Sequence, residues 1–271
     1  IMTSNIGSHL IALLVMFPAA FCAGMTLPLI THVLLRRGTG ERAIGAVYAA
    51  NTIGAITGVF AAVHVGLPVL GLKGLISAGA AVDIGLGLLL LWWTAKGSRL
   101  LAYATAAGVA GVAATLVFVQ LDPYKMASGV YRHGALLTRD KAEILFHHDG
   151  KTATVDLVKT AERISIHTNG KSDAALHSSG GVAPDEATMV LTAALPLAYM
   201  PGAGTAANIG FGSGLSSHVL LASDTLREVD TIEIEAAMVD AARGFSPRND
   251  NVYRDPRGRI QIEDAKTFFS M

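Results

Sequence analysis

The first 121 residues hold only six Lys/Arg (Arg36, Arg37, Arg42, Lys73, Lys96, Arg99) and two acids (Glu41, Asp83). So few charges leave long uninterrupted apolar runs. In a bilayer every backbone N–H and C=O must find a partner within the protein, and a helix supplies those partners inside one segment. Apolar stretches at 9–35, 43–66, 74–95 and 99–120 each reach the roughly 20 residues that a bilayer core requires. A helical transmembrane domain over 1–121 with about four spans is predicted.

Residues 122–271 carry the remaining 15 Lys/Arg and 19 Asp/Glu. The formal net charge of zero is therefore the sum of a membrane-like half and a soluble-like half. Neither half has a basic patch, so nucleic acid is not an expected partner. Cys22 stands alone in an apolar run. It has no intrachain disulfide partner, and its setting disfavours a thiolate.

Within the membrane half, Pro18 and Pro28 should kink the first span. Gly54 and Gly58, with Ala50 before them, form a small-xxx-small face suited to close helix packing. Trp92 and Trp93 close the third stretch, as in an interfacial belt. Asp83 lies mid-span, either in a transport or proton path or in a buried polar contact with Asn51 as a partner. The loop 36–42 is the most basic short loop and is expected in the cytoplasm. Four spans counted from there place the soluble half outside. Lys125, Arg132, Arg139 and Lys141, together with a nucleotide-type cofactor, place it inside. The two agree if one stretch is re-entrant. There is no signal peptide. The chain opens on Ile1 and stops at Met271 just after an apolar run, as a piece of a longer protein would.

The soluble half begins with a linker and a small antiparallel β unit over 122–182. Strands at 143–148 and 153–158 are joined by Asp149-Gly150, a hairpin signal, and a third at 163–168 ends at Asn169-Gly170. A helix from Asp185 to Met200 ends at Pro201-Gly202. Strands at 205–210, 229–234 and 259–263 then alternate with helices at 213–222 and 236–244. Alternation of this kind builds a parallel, doubly wound sheet. Residues 183–271 are thus read as a truncated Rossmann-like domain of the S-adenosylmethionine methyltransferase type.

The turn Gly210-Phe-Gly-Ser-Gly214 follows the first of these strands. Alternate glycines let the backbone turn tightly and approach a ligand closely. The spacing G-x-G-x-G differs from the dinucleotide fingerprint G-x-G-x-x-G and points to an adenosyl-sulfonium cofactor. Gly210, Gly212, Ser213 and Gly214 would line it. Glu233 ends the second strand, where an acid accepts from ribose hydroxyls. Asp264 ends the third, where a carboxylate could accept from the adenine amino group. Glu235 shares a strand face with Glu233, and the sequence alone does not separate the two. His147-His148 is not read as a metal site, because adjacent strand residues face opposite ways and no acid or cysteine cluster completes one.

Asp149-Gly-Lys151, Asn169-Gly-Lys-Ser-Asp173, Asp185-Glu186, the glycine turn, Glu233-Ile-Glu235, Asp255-Pro-Arg257 and Glu263-Asp-Ala265 together resemble the spermidine synthase family. The apolar half, with Phe17-Pro-Ala-Ala, Gly24-Met-Thr-Leu-Pro28 and Tyr48-Ala-Ala-Asn51-Thr-Ile-Gly54, is similar to the transporter-like domain of bacterial membrane-fused spermidine synthase-like proteins. The resemblance implies aminopropyl transfer from decarboxylated S-adenosylmethionine to a small amine such as putrescine, without a metal. It implies an inner-membrane, multi-pass protein with a cytoplasmic soluble half, possible as a homodimer. Asp173, Asp185 and Glu186 would face the amine. The family's acid in the glycine turn is here Ser213. Its tyrosine and polar partner after the Asp-Glu pair are here Met189 and Val190. Its catalytic Asp is expected beyond Met271, so the fragment is expected to be inactive alone. The alternatives are methyl transfer from S-adenosylmethionine, or a non-catalytic nucleotide-sensing module on a transporter.

Overall fold

The computed structural model describes residues 2–130, 134–178 and 181–270. Ile1, Arg132 and Met271 lie outside them. Contacts divide the chain into two units, 1–65 and 66–271.

In the first unit, α1 (Met2–Arg36) contains Pro18 and Pro28 without ending at either. It packs on α2 (Arg42–Ala61). Gly54 and Gly58 have nothing in this unit within 4 Å of where a Cβ would stand. The expected close-packing face is therefore open here.

After α2 comes one π-helical turn, Ala62–Gly66, and then α3 (Leu67–Thr94) without a loop. The predicted second and third spans thus join into one apolar helical run of 53 residues. Among the described residues three helices are long and apolar enough to cross a membrane: His9–Arg36, Arg42–Thr94 and Arg99–Phe118. The reason is local. Pro68 sits in the first turn of α3, where its missing N–H costs nothing. The interruption falls later, at Gly71, with φ 64 and ψ 178. Only glycine adopts that backbone readily.

In the second unit, α3 pairs with α4 (Arg99–Phe118), whose first turn is capped by Ser98. A Cβ on Gly108 would come within 2.7 Å of Ile84, so this glycine is where the two helices approach closely. Lys73 donates to the Leu116 carbonyl at 2.7 Å, near the end of α4. Asp83 is exposed on α3. Lys96 lies 4.6 Å from the Trp92 ring, at the far end of α3.

A short helix, α5 (Pro123–Met126), leads to β1 (Ala142–Asp149), β2 (Thr154–Thr160), β3 (Arg163–Thr168) and β4 (Lys171–His177). They form an antiparallel sheet in sequence order, with Asp149 opposite Thr154 at the first hairpin. Next come α6 (Pro184–Tyr199), β5 (Thr205–Ile209), α7 (Leu215–Leu221) and β6 (Glu228–Glu233). Then follow α8 (Ala236–Ala242), α9 (Asn251–Arg254), β7 (Gly258–Ile262) and α10 (Ala265–Phe268). Strands β5, β6 and β7 are parallel and neighbours in that order. One apolar core joins both sheets. Val155, Leu157 and Ile166 of the antiparallel sheet are buried with Phe211, Leu221, Val229 and Ala242. That shared core fixes the β1–β2 hairpin over the carboxyl ends of the parallel strands.

Candidate functional site

Parallel strands end on the same side, so whatever follows β5, β6 and β7 converges there. After β5 comes the glycine turn. Gly210, Gly212 and Gly214 have φ of 90, 54 and 76, all in the region that costs other residues roughly 1–2 kcal/mol. The left-handed Gly214 delays the start of α7 to Leu215, two residues later than the sequence suggested. Phe211 is buried and packs against Tyr253 with ring centroids 5.7 Å apart, and the buried Asn249 amide donates to the Ser213 carbonyl at 2.8 Å. The loop is therefore held from behind.

Two substitutions separate strain from collision. A Cβ on Gly214 would lie 2.9 Å from the Phe211 ring, whereas Gly210 has nothing within 4 Å. Gly210→Ala should cost about 1–2 kcal/mol from backbone strain alone. Gly214→Ala should cost more, by at least about 1 kcal/mol, because the ring must also move. Chemical unfolding of the two variants side by side checks this, and equal losses would mean that the ring gives way freely.

At the end of β6 the structure separates the two acids that the sequence left together. Glu233 accepts from the Phe211 N–H at 2.8 Å and from the Glu235 N–H at 2.9 Å. The acid of the second strand is thereby tied to the glycine turn of the first. Glu235 accepts from the N–H and hydroxyl of Thr152, both at 2.8 Å, and from the Ala237 N–H at 3.1 Å. Burial by itself would raise its pKa. The donors from Thr152, Ala237 and Ala153 outweigh burial and hold it below the ordinary glutamate value. Glu235 thus clamps the β1–β2 hairpin to the first turn of α8.

Asp264 follows β7 and is exposed. One of its oxygens accepts from the Thr267 N–H at 3.1 Å and caps α10. Ile234 and Ile262 lie at the same edge and are 53% and 48% exposed. They line a cleft of about 690 Å³ opposite hairpin residues 146–151. The sequence reading missed both as site residues, although each directly neighbours an acid it had singled out or lies within two positions of one. An apolar residue beside such an acid, at a strand's carboxyl end, was the available signal.

The three acids expected toward an amine have different settings. Asp173 is exposed and pairs with Lys171 at 2.9 Å, and Asp185 is exposed in the first turn of α6. Glu186 is buried, with both oxygens on the Arg248 guanidinium at 3.0 and 2.8 Å and a further bond from the His177 N–H. Arg248, 62 residues away in sequence, had no sequence signal. Ser213 is fully buried. Its hydroxyl donates to the Met189 sulfur at 3.1 Å and accepts from the Leu215 N–H at 3.3 Å, so only its backbone remains for a ligand. The two departures from the family pattern, Ser213 and Met189, are therefore in contact. Among the described residues no group of His, Cys, Asp and Glu is arranged to hold a metal. His147 instead pairs with the buried Asp156 at 2.6 Å.

The chain matches no protein-family model and no curated protein. Solved structures that it resembles include spermidine synthases. One, from Thermotoga maritima, is 16% identical with a TM-score of 0.41, over 46% of this chain and 42% of that one. A spermidine synthase in complex with the transition state analogue AdoDATO is 15% identical with a TM-score of 0.43, over 56% and 53%. A probable spermidine synthase from Corynebacterium glutamicum is 14% identical with a TM-score of 0.35, over 46% and 47%. The chain spans about half the length of these structures or less.

Proposed function

We propose that this chain is part of a membrane-anchored, spermidine synthase-like transferase that binds an adenosyl-sulfonium donor and moves its aminopropyl group to a small amine. The observation that carries the donor reading is the bond from the Phe211 N–H to Glu233. It brings the acid at the end of β6 against the glycine turn after β5, so the two elements that would meet the donor's ribose share one place. Asp264, one strand further, is exposed and would accept from the purine's amino group. A sulfonium is a good leaving group, so the protein's task is mainly to hold the acceptor nitrogen in line with the attacked carbon. Of the three acids expected toward the amine, Asp173 and Asp185 are exposed, whereas Glu186 is engaged by Arg248.

A second reading, methyl transfer from ordinary S-adenosylmethionine, is favoured by one observation. The corner where an acid would meet the donor's amino group is neutral and buried, as Ser213 against Met189. Calorimetric titration of the detergent-solubilised chain with decarboxylated and with ordinary S-adenosylmethionine decides between them. The aminopropyl reading expects the decarboxylated form to bind more tightly. Tighter binding of the ordinary form would sink it in favour of methyl transfer. Binding of neither would remove the adenosyl reading altogether.

A further inference from the structure

Beyond Ile234 and Ile262 the same cleft is closed by the first turns of α3, through Leu67, Pro68 and Gly71. This wall lies within the apolar helical run 42–94, and Gly71 breaks the run there. Irregular backbone at membrane depth is tolerated where it lines a cavity rather than lipid. The Lys73 bond to Leu116 sets this break level with the end of α4, where the chain leaves for the soluble part. The cleft is thus open to membrane-derived apolar surface on one side and to the donor end of the sheet on the other.

Its charge is biased. Asp149, Glu235 and Asp240 line it against a single lysine, Lys151, with His147 and His148 beside them. Among the Asp, Glu and Lys side chains of the lining, negative charge is in excess by two. Such a concavity raises the local concentration of cations. His147 adds an acceptor. Its Nδ1 is held by Asp156, which is fully buried and whose second oxygen has no partner among the described residues. That bond fixes the ring and leaves Nε2 for a ligand N–H.

We propose that the α3 end of this cleft binds a primary amine bearing a hydrocarbon tail, drawn from the bilayer. The ammonium would face Asp149, Asp240 and His147, and the tail would lie along Leu67, Pro68 and Phe146. The site itself stands on the cleft. Its role as the acceptor site rests on the transferase reading above. A short soluble diamine supplies the cation but not the tail, and an anionic amphiphile supplies the tail but not the cation.

The test uses the chain in lipid nanodiscs and a dodecylamine probe with a photoactivatable group at the tail end, with adducts mapped by peptide mass spectrometry. Adducts should fall within 67–71 and 145–151. Asp240→Asn, a surface change to an isosteric amide, should reduce them about tenfold, the loss expected for one charged contact. The dodecyl sulfate counterpart of the probe should not label these segments. Putrescine should compete far less well than unlabelled dodecylamine. Equal labelling by the sulfate, no effect of Asp240→Asn, or adducts confined to 9–36 and 99–118 would overturn the site. Competition by putrescine as strong as by dodecylamine would overturn its membrane source. Donor titration on the same sample keeps the two proposals apart. Donor binding without amine labelling removes this inference alone, and amine labelling without donor binding removes the transferase reading alone.

Discussion

Replacing Arg248 with alanine should destabilise the α/β part of the protein by about 3–5 kcal/mol, the range for stranding one member of a buried ion pair. The Glu186 side chain is 3% exposed and depends on the two Arg248 bonds and the His177 N–H to remain ionised there. Arg248 is itself 41% exposed, so water enters on its side and the lower end of the range is expected. Arg248→Lys keeps the charge but loses the planar fork, and should fall between wild type and alanine. The pair also sets a pH dependence. Burial raises the Glu186 pKa, but the bonds from Arg248 and from the backbone at His177 and Ala183 outweigh it, and the net shift is downward. A carboxylate whose folded pKa lies below its unfolded value of about 4.3 stabilises fully above that pH and loses the contribution as pH falls through the folded value. Stability measured by urea unfolding between pH 3 and 7 should therefore drop below about pH 4 in the wild type. The drop should be shallower in Arg248→Ala. An unchanged acid limb would mean that Glu186 is not held ionised by this arginine.

Glu233→Gln should weaken adenosyl ligand binding by about 1–3 kcal/mol, the worth of a charged hydrogen bond. That corresponds to roughly fivefold to a hundredfold or more in Kd. The amide keeps one acceptor but turns an NH2 toward a backbone N–H, at Phe211 or at Glu235. The glycine turn should loosen as well, and a melting curve without ligand reads that part separately. Glu235→Gln is the informative partner. It removes charge from the clamp on Thr152 and should lower stability while leaving ligand affinity nearly unchanged. If Glu235→Gln weakens binding as much as Glu233→Gln does, neither acid can be singled out for the ribose. If Glu233→Gln binds like the wild type, the acid holds the turn and not the ligand.

The sequence was informative wherever a short stretch decides its own conformation. Charge-poor apolar runs dictated helices over the first 121 residues, because backbone groups there have no other partner. Asp149-Gly150 marked one hairpin and Asn169-Gly170 the turn after the third strand, while the fourth strand, Lys171–His177, was not read. The strand–helix alternation from 205 onward specified a parallel sheet, and three glycines marked the turn whose φ values are positive at all three. The number of separate apolar helices was less legible. Gly66 and Pro68 read as the end of a span, yet the helical run passes through them and the break comes at Gly71. The acids that end the parallel strands were legible by type and position, since the carboxyl ends of such strands converge by topology. Their individual duties were not. Glu233 and Glu235 are carboxylates two positions apart, and only the approach of Thr152, 83 residues from Glu235, shows which one clamps the hairpin. Glu186 reads as a free acid until Arg248 is folded onto it. Ser213 and Met189 read as two unrelated departures until their side chains meet. Local conformation follows from steric and solvation rules that act within a few residues. Which carboxylate is engaged and which stays open depends on partners that only the packed core brings within hydrogen-bonding distance.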